Sequence, residues 1–198
     1  EGKARKTMRN NVNRLEREGY RFEVVEAAAV PELLPRLRTV SAAWLNAKNG
    51  REKQFSLGFF NEEYLKRGPI ALVWFEAQVV AFANLWRGGG AELSVDLMRY
   101  PPDGPNGLMD YLFIQTLLWG RDRGYEWFNL GMAPLAGLQN RSFAPLWNRF
   151  GALVFGSGET FYNFRGLHQY KDKFHPCWEA RYLAAPSGIL LPRILTDL

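Results

Sequence analysis

Apolar residues recur along this chain with two spacings, and each spacing predicts one type of element. Apolar positions three and four residues apart are typical of a helix that buries one face, whereas alternation or a short apolar run is typical of a strand. The first spacing predicts helices over Lys3–Gly19, Pro31–Lys48, Asn61–Arg67 and Leu108–Gly124. The second predicts strands over Arg21–Glu26, Ile70–Phe75, Val79–Trp86, Ala91–Arg99 and Glu126–Leu130.

Three of the predicted strands follow one another closely and are expected to form an antiparallel meander. A tight turn at Ala77 and Gln78 joins the first two, and Gly88–Gly90 joins the second and third. A proline-rich loop, Tyr100–Gly107, then leads into the apolar helix and a further buried strand. This order predicts an α/β (α+β) fold with a mostly antiparallel central sheet flanked by helices.

The length and composition suit one folded domain. The chain has 198 residues, 47% of them hydrophobic, which is enough to bury a full core. A single cysteine, Cys177, excludes a disulfide framework and argues against four-ligand zinc patterns, so we expect a core cysteine and no metal. No apolar window is long enough to span a bilayer, and the lack of an initiating Met leads us to expect a fragment of a longer protein.

Basic charge is concentrated in the first predicted helix. Between Glu1 and Arg21 there are seven basic residues against three acidic ones, in a chain of net charge +5. This excess predicts either a solvated helix or a surface for a polyanion such as tRNA or an anionic membrane. The candidate contacts are Lys3, Arg5, Lys6 and Arg9. We predict a basic helix at 1–20, a main domain at 21–183, and an apolar tail at 184–198 that docks on the domain or touches the membrane.

The stretch Glu159–Tyr182 places a charge where a helix would be apolar. At 100° per residue, Lys171 falls within an arc of apolar side chains and beside His168. The arc consists of Phe161, Phe164, Leu167 and Phe174. Two interpretations follow. Either Lys171 lies at the helix edge and extends to water, or it points into a substrate cavity where desolvation gives it chemical work.

The order of strands, loop, helix and strand resembles the central unit of the acyl-CoA N-acetyltransferase (GNAT) fold. In that fold the loop before the helix is glycine-rich, so that backbone N–H groups can bind a pyrophosphate. Here Pro101, Pro102 and Pro105 remove three such donors. We therefore do not expect coenzyme A as the acyl donor, and we predict no cofactor.

Three blocks of sequence together resemble one bacterial family. They are SVDLMR at Ser94–Arg99, NLGMAPL at Asn129–Leu135 and FYNFRGLHQYKDK at Phe161–Lys173. Over nearly its whole length the chain is similar to the C-terminal cytosolic domain of the aminoacyl-phosphatidylglycerol synthases, the multiple peptide resistance factors. That resemblance implies an inner-membrane protein with an N-terminal multispanning flippase domain and two tandem acetyltransferase-like halves, of which this chain would be the second.

The resemblance also implies a reaction. A lysyl or alanyl group passes from aminoacyl-tRNA to the headgroup hydroxyl of phosphatidylglycerol, which makes the membrane less anionic and gives resistance to cationic antimicrobial peptides. The donor is already an activated ester, so the enzyme must orient the hydroxyl and stabilise the oxyanion and the leaving oxygen. We predict that Lys171 polarises the ester or protonates the leaving 3′ oxygen. Asp96 would hold the aminoacyl ammonium, and Arg99 a phosphate or carboxylate.

The spacing of Asp96 and Arg99 sets a condition on their strand. Residues three apart face opposite sides of a regular strand, so both reach one site only if the strand contains a bulge or ends early. The alternative is that the two residues form ion pairs elsewhere.

Several polar residues around Lys171 are candidates for binding substrate. They are Glu159, Tyr162, Asn163, Arg165 and His168, for which capping and surface pairing are the alternative. His168 and His175 are also possible general bases, but a relay between His175 and Cys177 is disfavoured by Pro176 and by the activated donor. Two other functions stay open: an aminoacyl-tRNA-dependent transferase acting on a peptidoglycan precursor or a protein, and a non-enzymatic basic module that binds RNA or membrane.

Overall fold

In the described part of the chain the apolar runs form a five-stranded sheet, and helices pack on both of its faces. The computed structural model describes residues 2–47, 59–133 and 164–182. The chain divides into two units, 1–131 and 132–198. Within the described ranges, no helix is both long enough and apolar enough to cross a bilayer.

The first unit contains the sheet and, in its described part, four α-helices. The helices are α1 (Lys3–Arg17), α2 (Val30–Ala47), α3 (Glu62–Leu65) and α4 (Leu108–Asp122), and a 3-10 helix at Ala27–Ala29 precedes α2. The strands are β1 (Arg21–Val25), β2 (Ile70–Phe75), β3 (Gln78–Arg87), β4 (Glu92–Arg99) and β5 (Trp127–Asn129). Each helix and strand predicted before residue 131 is present, with small shifts at the ends.

The strands lie in the sheet in their order along the chain, from β1 to β5. Neighbouring strands from β1 to β4 are antiparallel, whereas β5 pairs parallel to β4 after the crossover through α4. The predicted α/β architecture with a mostly antiparallel sheet flanked by helices is therefore confirmed.

Two local predictions were wrong. The turn between β2 and β3 lies at Glu76 and Ala77, one residue earlier than predicted, because Glu76 adopts a positive φ of 53° and reverses the chain there. Strand β5 is not buried, since Trp127 is 64% exposed. In the described part of the sheet β5 is an edge strand, and only Phe128 among its residues packs against the core.

The sheet separates two apolar cores. On one face α1 and α4 pack together against the strands, with Leu15 and Tyr111 buried among them. On the other face α2 and α3 pack against the strands through Leu37 and Leu65, which meet Leu97 of β4. Because β2 and β3 are covered on both sides, most of their side chains are apolar in both directions, which explains their continuous apolar runs.

The middle of β4 contains a bulge, one of the two irregularities that would let Asp96 and Arg99 face the same side of the sheet. The flanking pairs are Ala83 with Met98 and Leu85 with Val95. Asn84 alone therefore lies opposite two residues, Asp96 and Leu97. The Asn84 side-chain oxygen accepts a hydrogen bond from the backbone N–H of Leu97 at 2.7 Å, which satisfies a donor that the irregular ladder leaves out.

In the second unit the structure describes α5 (Phe164–Asp172) and the segment after it. The chain leaves the helix through His175, whose φ is 52°, and brings the Trp178 ring within 4.7 Å of the His168 ring. The Trp178 indole N–H donates to Asp172 at 2.8 Å. These contacts anchor the last turn of α5. Phe174 lies beyond the helix end, so the predicted helical arc does not extend to it.

Candidate functional site

Asp96 lies at the β4 bulge and faces the side of the sheet that α2 and α3 cover. One of its carboxylate oxygens, Oδ2, accepts a hydrogen bond from the hydroxyl of Tyr64 in α3. That hydroxyl in turn accepts a hydrogen bond from the indole N–H of Trp86 at 2.8 Å. No ion pair within the described ranges includes Asp96. Its negative charge is therefore held by a neutral donor, and the alternative that it forms an ion pair finds no support among these residues.

The hydroxyl of Tyr64 stays protonated over the physiological pH range. The pKa of Tyr64 is raised to about 12, mainly by burial and then by its hydrogen bond to Asp96, while hydrogen bonds with Asn84 and Trp86 oppose the rise. A neutral phenol can donate to a carboxylate without cancelling its charge. Asp96 is thus oriented and remains able to attract a cation.

Arg99 reaches the same face of the sheet as Asp96 because the bulge changes the alternation of β4. Its guanidinium carbon lies 4.1 Å from the ring centroid of Trp44 in α2, and NH1 donates to the carbonyl of Met98 at 3.1 Å. The side chain is 7% exposed. A stacked guanidinium keeps its in-plane N–H groups directed outward from the ring, as binding of a phosphate or carboxylate would require.

Lys171 lies in the second unit, in the last turn of α5, and is only 7% exposed. Its ammonium donates to the backbone carbonyl of Met132 at 2.7 Å, and in the described part of the chain no carboxylate pairs with it. Burial lowers the pKa of Lys171 from 10.5 to about 8. The interpretation of Lys171 as an edge residue extending to water is therefore wrong. It is a desolvated amine that can exchange a proton near neutral pH.

The other candidates near Lys171 divide into three groups. Glu159, Tyr162 and Asn163 lie outside the described residues, as does the side chain of Arg165. His168 stacks on Trp178 and lies 3.4 Å from Asp172, so its described contacts are those of a packed residue. His175 and Cys177 are exposed, which contradicts the expectation of a core cysteine: Cys177 lies in the irregular segment that follows the helix.

Most of the basic residues of α1 that the structure describes are exposed. Arg5, Lys6 and Arg9 are exposed, and the described residues offer them no carboxylate within ion-pair distance. The side chain of Lys3 lies outside the described part. The apolar stripe of α1 is already buried against α4. Any contact of α1 with a membrane or RNA would therefore use its charges and not its apolar face.

Sequence reasoning missed three residues that lie around Asp96: Tyr64, Asn84 and Trp86. Asn84 left a signal, because it is the one amide inside the apolar run of β3 and is 5% exposed. Tyr64 and Trp86 left none, since an aromatic residue in a short helix or at the end of a strand is ordinary.

Comparison with known proteins identifies the family. Residues 1–185 match the family described as phosphatidylglycerol lysyltransferase, C-terminal. The chain belongs to this family. It is 44% identical over 188 residues to the phosphatidylglycerol lysyltransferase of Bacillus subtilis (strain 168), covering 92% of this chain and 21% of that protein. The resemblance predicted from the three sequence blocks is thereby confirmed.

Solved structures of the phosphatidylglycerol lysyltransferase family share the fold. L-PGS from Bacillus licheniformis has a TM-score of 0.82 and 42% identity, covering 99% of this chain and 60% of that one. The C-terminal domain of a candidate lysylphosphatidylglycerol synthetase from Agrobacterium fabrum has a TM-score of 0.81 and 42% identity, covering 100% of this chain and 59% of that one. The chain thus spans about a fifth of the curated Bacillus subtilis relative and about three fifths of these two structures.

Proposed function

We propose that this chain is the second acetyltransferase-like half of a larger enzyme that moves an aminoacyl group from aminoacyl-tRNA to the headgroup hydroxyl of phosphatidylglycerol. Membership of the phosphatidylglycerol lysyltransferase family supports the reaction, and the additional length of the relatives supports a larger protein. The observation that carries the proposal is Lys171, a buried amine whose pKa is lowered to about 8. Such a group suits the transfer of a proton to an alkoxide leaving group.

The proposed step is a transesterification. The glycerol oxygen of the lipid attacks the ester carbonyl carbon, and a new C–O bond forms. The bond from that carbon to the ribose 3′ oxygen then breaks. The lipid hydroxyl loses its proton and the 3′ oxygen gains one, so the step balances without an oxidant or a further reactant. Because the ester is already activated, orientation and charge stabilisation are what the protein must supply.

Each candidate residue has a separate role in this proposal. Lys171 stabilises the oxyanion or protonates the 3′ oxygen, for which its ammonium must be charged when the ester is bound. Asp96 binds the ammonium of the aminoacyl group, and Arg99 binds a phosphate or carboxylate. Arg5, Lys6 and Arg9 form, with Lys3, a phosphate-binding surface for tRNA or for anionic lipid.

The proposal also sets a location and a set of partners. The chain would lie at the cytoplasmic face of the bacterial inner membrane, where both aminoacyl-tRNA and phosphatidylglycerol are available. Its partners within the same protein would be the first acetyltransferase-like half and a transmembrane flippase domain. The product is less anionic than its precursor, which would reduce attraction of cationic antimicrobial peptides.

The test follows radiolabelled amino acid from tRNA into chloroform-soluble lipid, with the protein that contains this chain and phosphatidylglycerol vesicles. Lysyl-tRNA and alanyl-tRNA are supplied in parallel, since the described residues do not select between them. We expect transfer by the wild type and none by Lys171→Ala. Lys171→Arg is also expected to fail, because a planar fork is a poor substitute for a point donor.

Lys173→Ala is the matched control, since Lys173 is two residues away and its ammonium lies 4.7 Å from the Tyr170 ring centroid. Near-normal transfer by Lys171→Ala would refute the role of Lys171. Label in a peptidoglycan precursor or a protein, and not in lipid, would favour a different acceptor. Binding of tRNA or vesicles without any transfer would favour a non-enzymatic module.

A further inference from the structure

The chemistry of its two partners fixes the direction of both hydrogen bonds at the Tyr64 hydroxyl. An indole N–H can only donate, so the Trp86 contact at 2.8 Å requires the tyrosine oxygen to accept. The single hydroxyl proton is then left for Asp96, whose carboxylate can only accept when ionised. The order of donation is therefore Trp86 to Tyr64 to Asp96.

Both the backbone and the ring of Tyr64 make contacts that hold the residue in place. Its backbone N–H donates to the side chain of Asn61 at 2.9 Å, which caps α3, and the next residue, Leu65, is fully buried. Its ring lies 5.5 Å from the Trp86 ring. The aromatic group is thus fixed to the core, while Asp96 lies at a bulge, where the regular ladder does not restrain it.

We propose that Tyr64, supported by Trp86, is a positioning residue that sets the rotamer of Asp96 so that its second carboxylate oxygen is presented to the ammonium of the aminoacyl group. The proposal rests on the function proposed above. It assigns to Tyr64 no contact with the reacting atoms.

Tyr64 is a neutral partner for Asp96, and a neutral partner suits a carboxylate that binds a cation. A lysine or arginine in the place of Tyr64 would hold the carboxylate as firmly, but would compete with the substrate ammonium for its charge. Within the described residues, Oδ2 of Asp96 carries the bond from Tyr64 and Oδ1 accepts none. One oxygen is therefore used for orientation, and the other remains for a ligand.

A double-mutant cycle tests this inference on the transferase that contains the chain. Tyr64→Phe, Asp96→Asn and the double variant are compared through kcat and KM for lysyl-tRNA at fixed lipid. We expect Tyr64→Phe to lower kcat/KM by about tenfold, mainly through KM, since one hydrogen bond to a charged group is lost. In the Asp96→Asn background the same change should have less than about a twofold effect, because the carboxylate it positions is absent.

Tyr111→Phe is the matched control. The Tyr111 hydroxyl donates to the carbonyl of Tyr20 at 3.3 Å, and burial likewise raises its pKa to about 12, but it lies on the opposite face of the sheet. Its loss should leave kcat/KM within about twofold of wild type. Trp86→Phe covers the case in which Tyr64→Phe does not fold, because it removes the indole donor at an exposed position while keeping an aromatic ring, and it should lower kcat/KM about threefold.

Three outcomes would overturn the inference, and they can be told apart. An unchanged KM for Tyr64→Phe, or for Trp86→Phe where the first variant is unfolded, would remove the pair from substrate binding. Equal losses in the wild-type and Asp96→Asn backgrounds would make Tyr64 a purely structural residue. An Asp96→Asn variant with wild-type kinetics would refute the role of Asp96 itself, and the positioning inference would fall with that part of the proposed function.

Discussion

The titration of Lys171 is the sharpest quantitative prediction from this structure. Its ammonium is buried, its described partner is a neutral carbonyl, and its pKa is lowered to about 8 by desolvation. With a pKa near 8, the amine is about nine-tenths charged at pH 7 and about one-tenth charged at pH 9. A lysine with the ordinary value of 10.5 would stay almost fully charged over that interval.

Two measurements follow from this magnitude. The NMR titration of the chain labelled at lysine Cε should show one of its seven lysines changing near pH 8, and Lys171→Arg should remove that resonance. Second, kcat/KM for transfer should fall about fifteenfold between pH 8 and pH 9.5 if the charged form is the one that acts. Rates are taken as single turnovers against an enzyme-free blank, since alkaline pH hydrolyses the aminoacyl ester.

The two measurements distinguish an error in the desolvation argument from an error in the acid role given to Lys171. If every lysine titrates above about pH 10, the burial of Lys171 does not perturb it and the physical reasoning is wrong. A lysine that titrates near 8 together with a flat rate profile to pH 9.5 would keep the desolvation argument and refute the acid role. In that case Lys171 would act only by binding.

Three further predictions concern stability and binding. Because the folded pKa of Lys171 is lower than the unfolded one, wild-type stability should rise with pH between about 8 and 10.5, and Lys171→Met should remove that rise in urea unfolding. Asn84→Ala should cost about 1–3 kcal/mol by the same method, since the N–H of Leu97 loses its acceptor; a cost below about 0.5 kcal/mol would contradict this role. Replacing three of the exposed basic residues of α1 by Gln should reduce the salt dependence of tRNA binding measured by filter retention, whereas the same replacement of Arg67, Arg121 and Arg123 should not. Loss of vesicle association with intact tRNA binding would instead indicate a membrane-facing helix. The α1 residues changed are Arg5, Lys6 and Arg9.

The sheet and helices of the first unit were predictable because their signals are local. Apolar runs bounded by turn residues predict strands, and amphipathic spacing predicts α1, α2 and α4. Asn61 predicted the start of α3, and its side chain does accept from Tyr64 N at 2.9 Å. Periodicity could not show that β5 would lie at the edge of the described sheet, because the burial of Trp127 depends on which strands lie beside it.

The site was predictable only in part, since its geometry depends on long-range pairing. The sequence showed that Asp96 and Arg99 need an irregular strand, and the structure has the bulge opposite Asn84. The Tyr64 contact could not be foreseen, because it joins residues 32 positions apart through a four-residue helix. The depth of Lys171 was likewise undecided, since a helix pattern does not reveal what covers its C-terminal turn.

Lys171 and Asp96 share a physical feature that the paired surface charges lack. Arg14 and Arg87, which lie at the surface, are paired with Glu18 and Glu26 at 2.8 and 2.7 Å. Lys171 and Asp96, by contrast, are each held by a neutral group: a backbone carbonyl for the ammonium and a phenol for the carboxylate.

Holding a partly desolvated charge with a neutral partner stabilises the fold less than an apolar side chain of similar size would. It leaves the charge uncompensated, however, and an uncompensated charge interacts strongly with a ligand of opposite sign. On this reasoning, variants that add an opposite charge beside either residue should stabilise the chain and weaken transfer. Tyr64→Lys is the direct case: a higher urea midpoint with unchanged kcat/KM would refute the argument that the neutral partner serves the substrate.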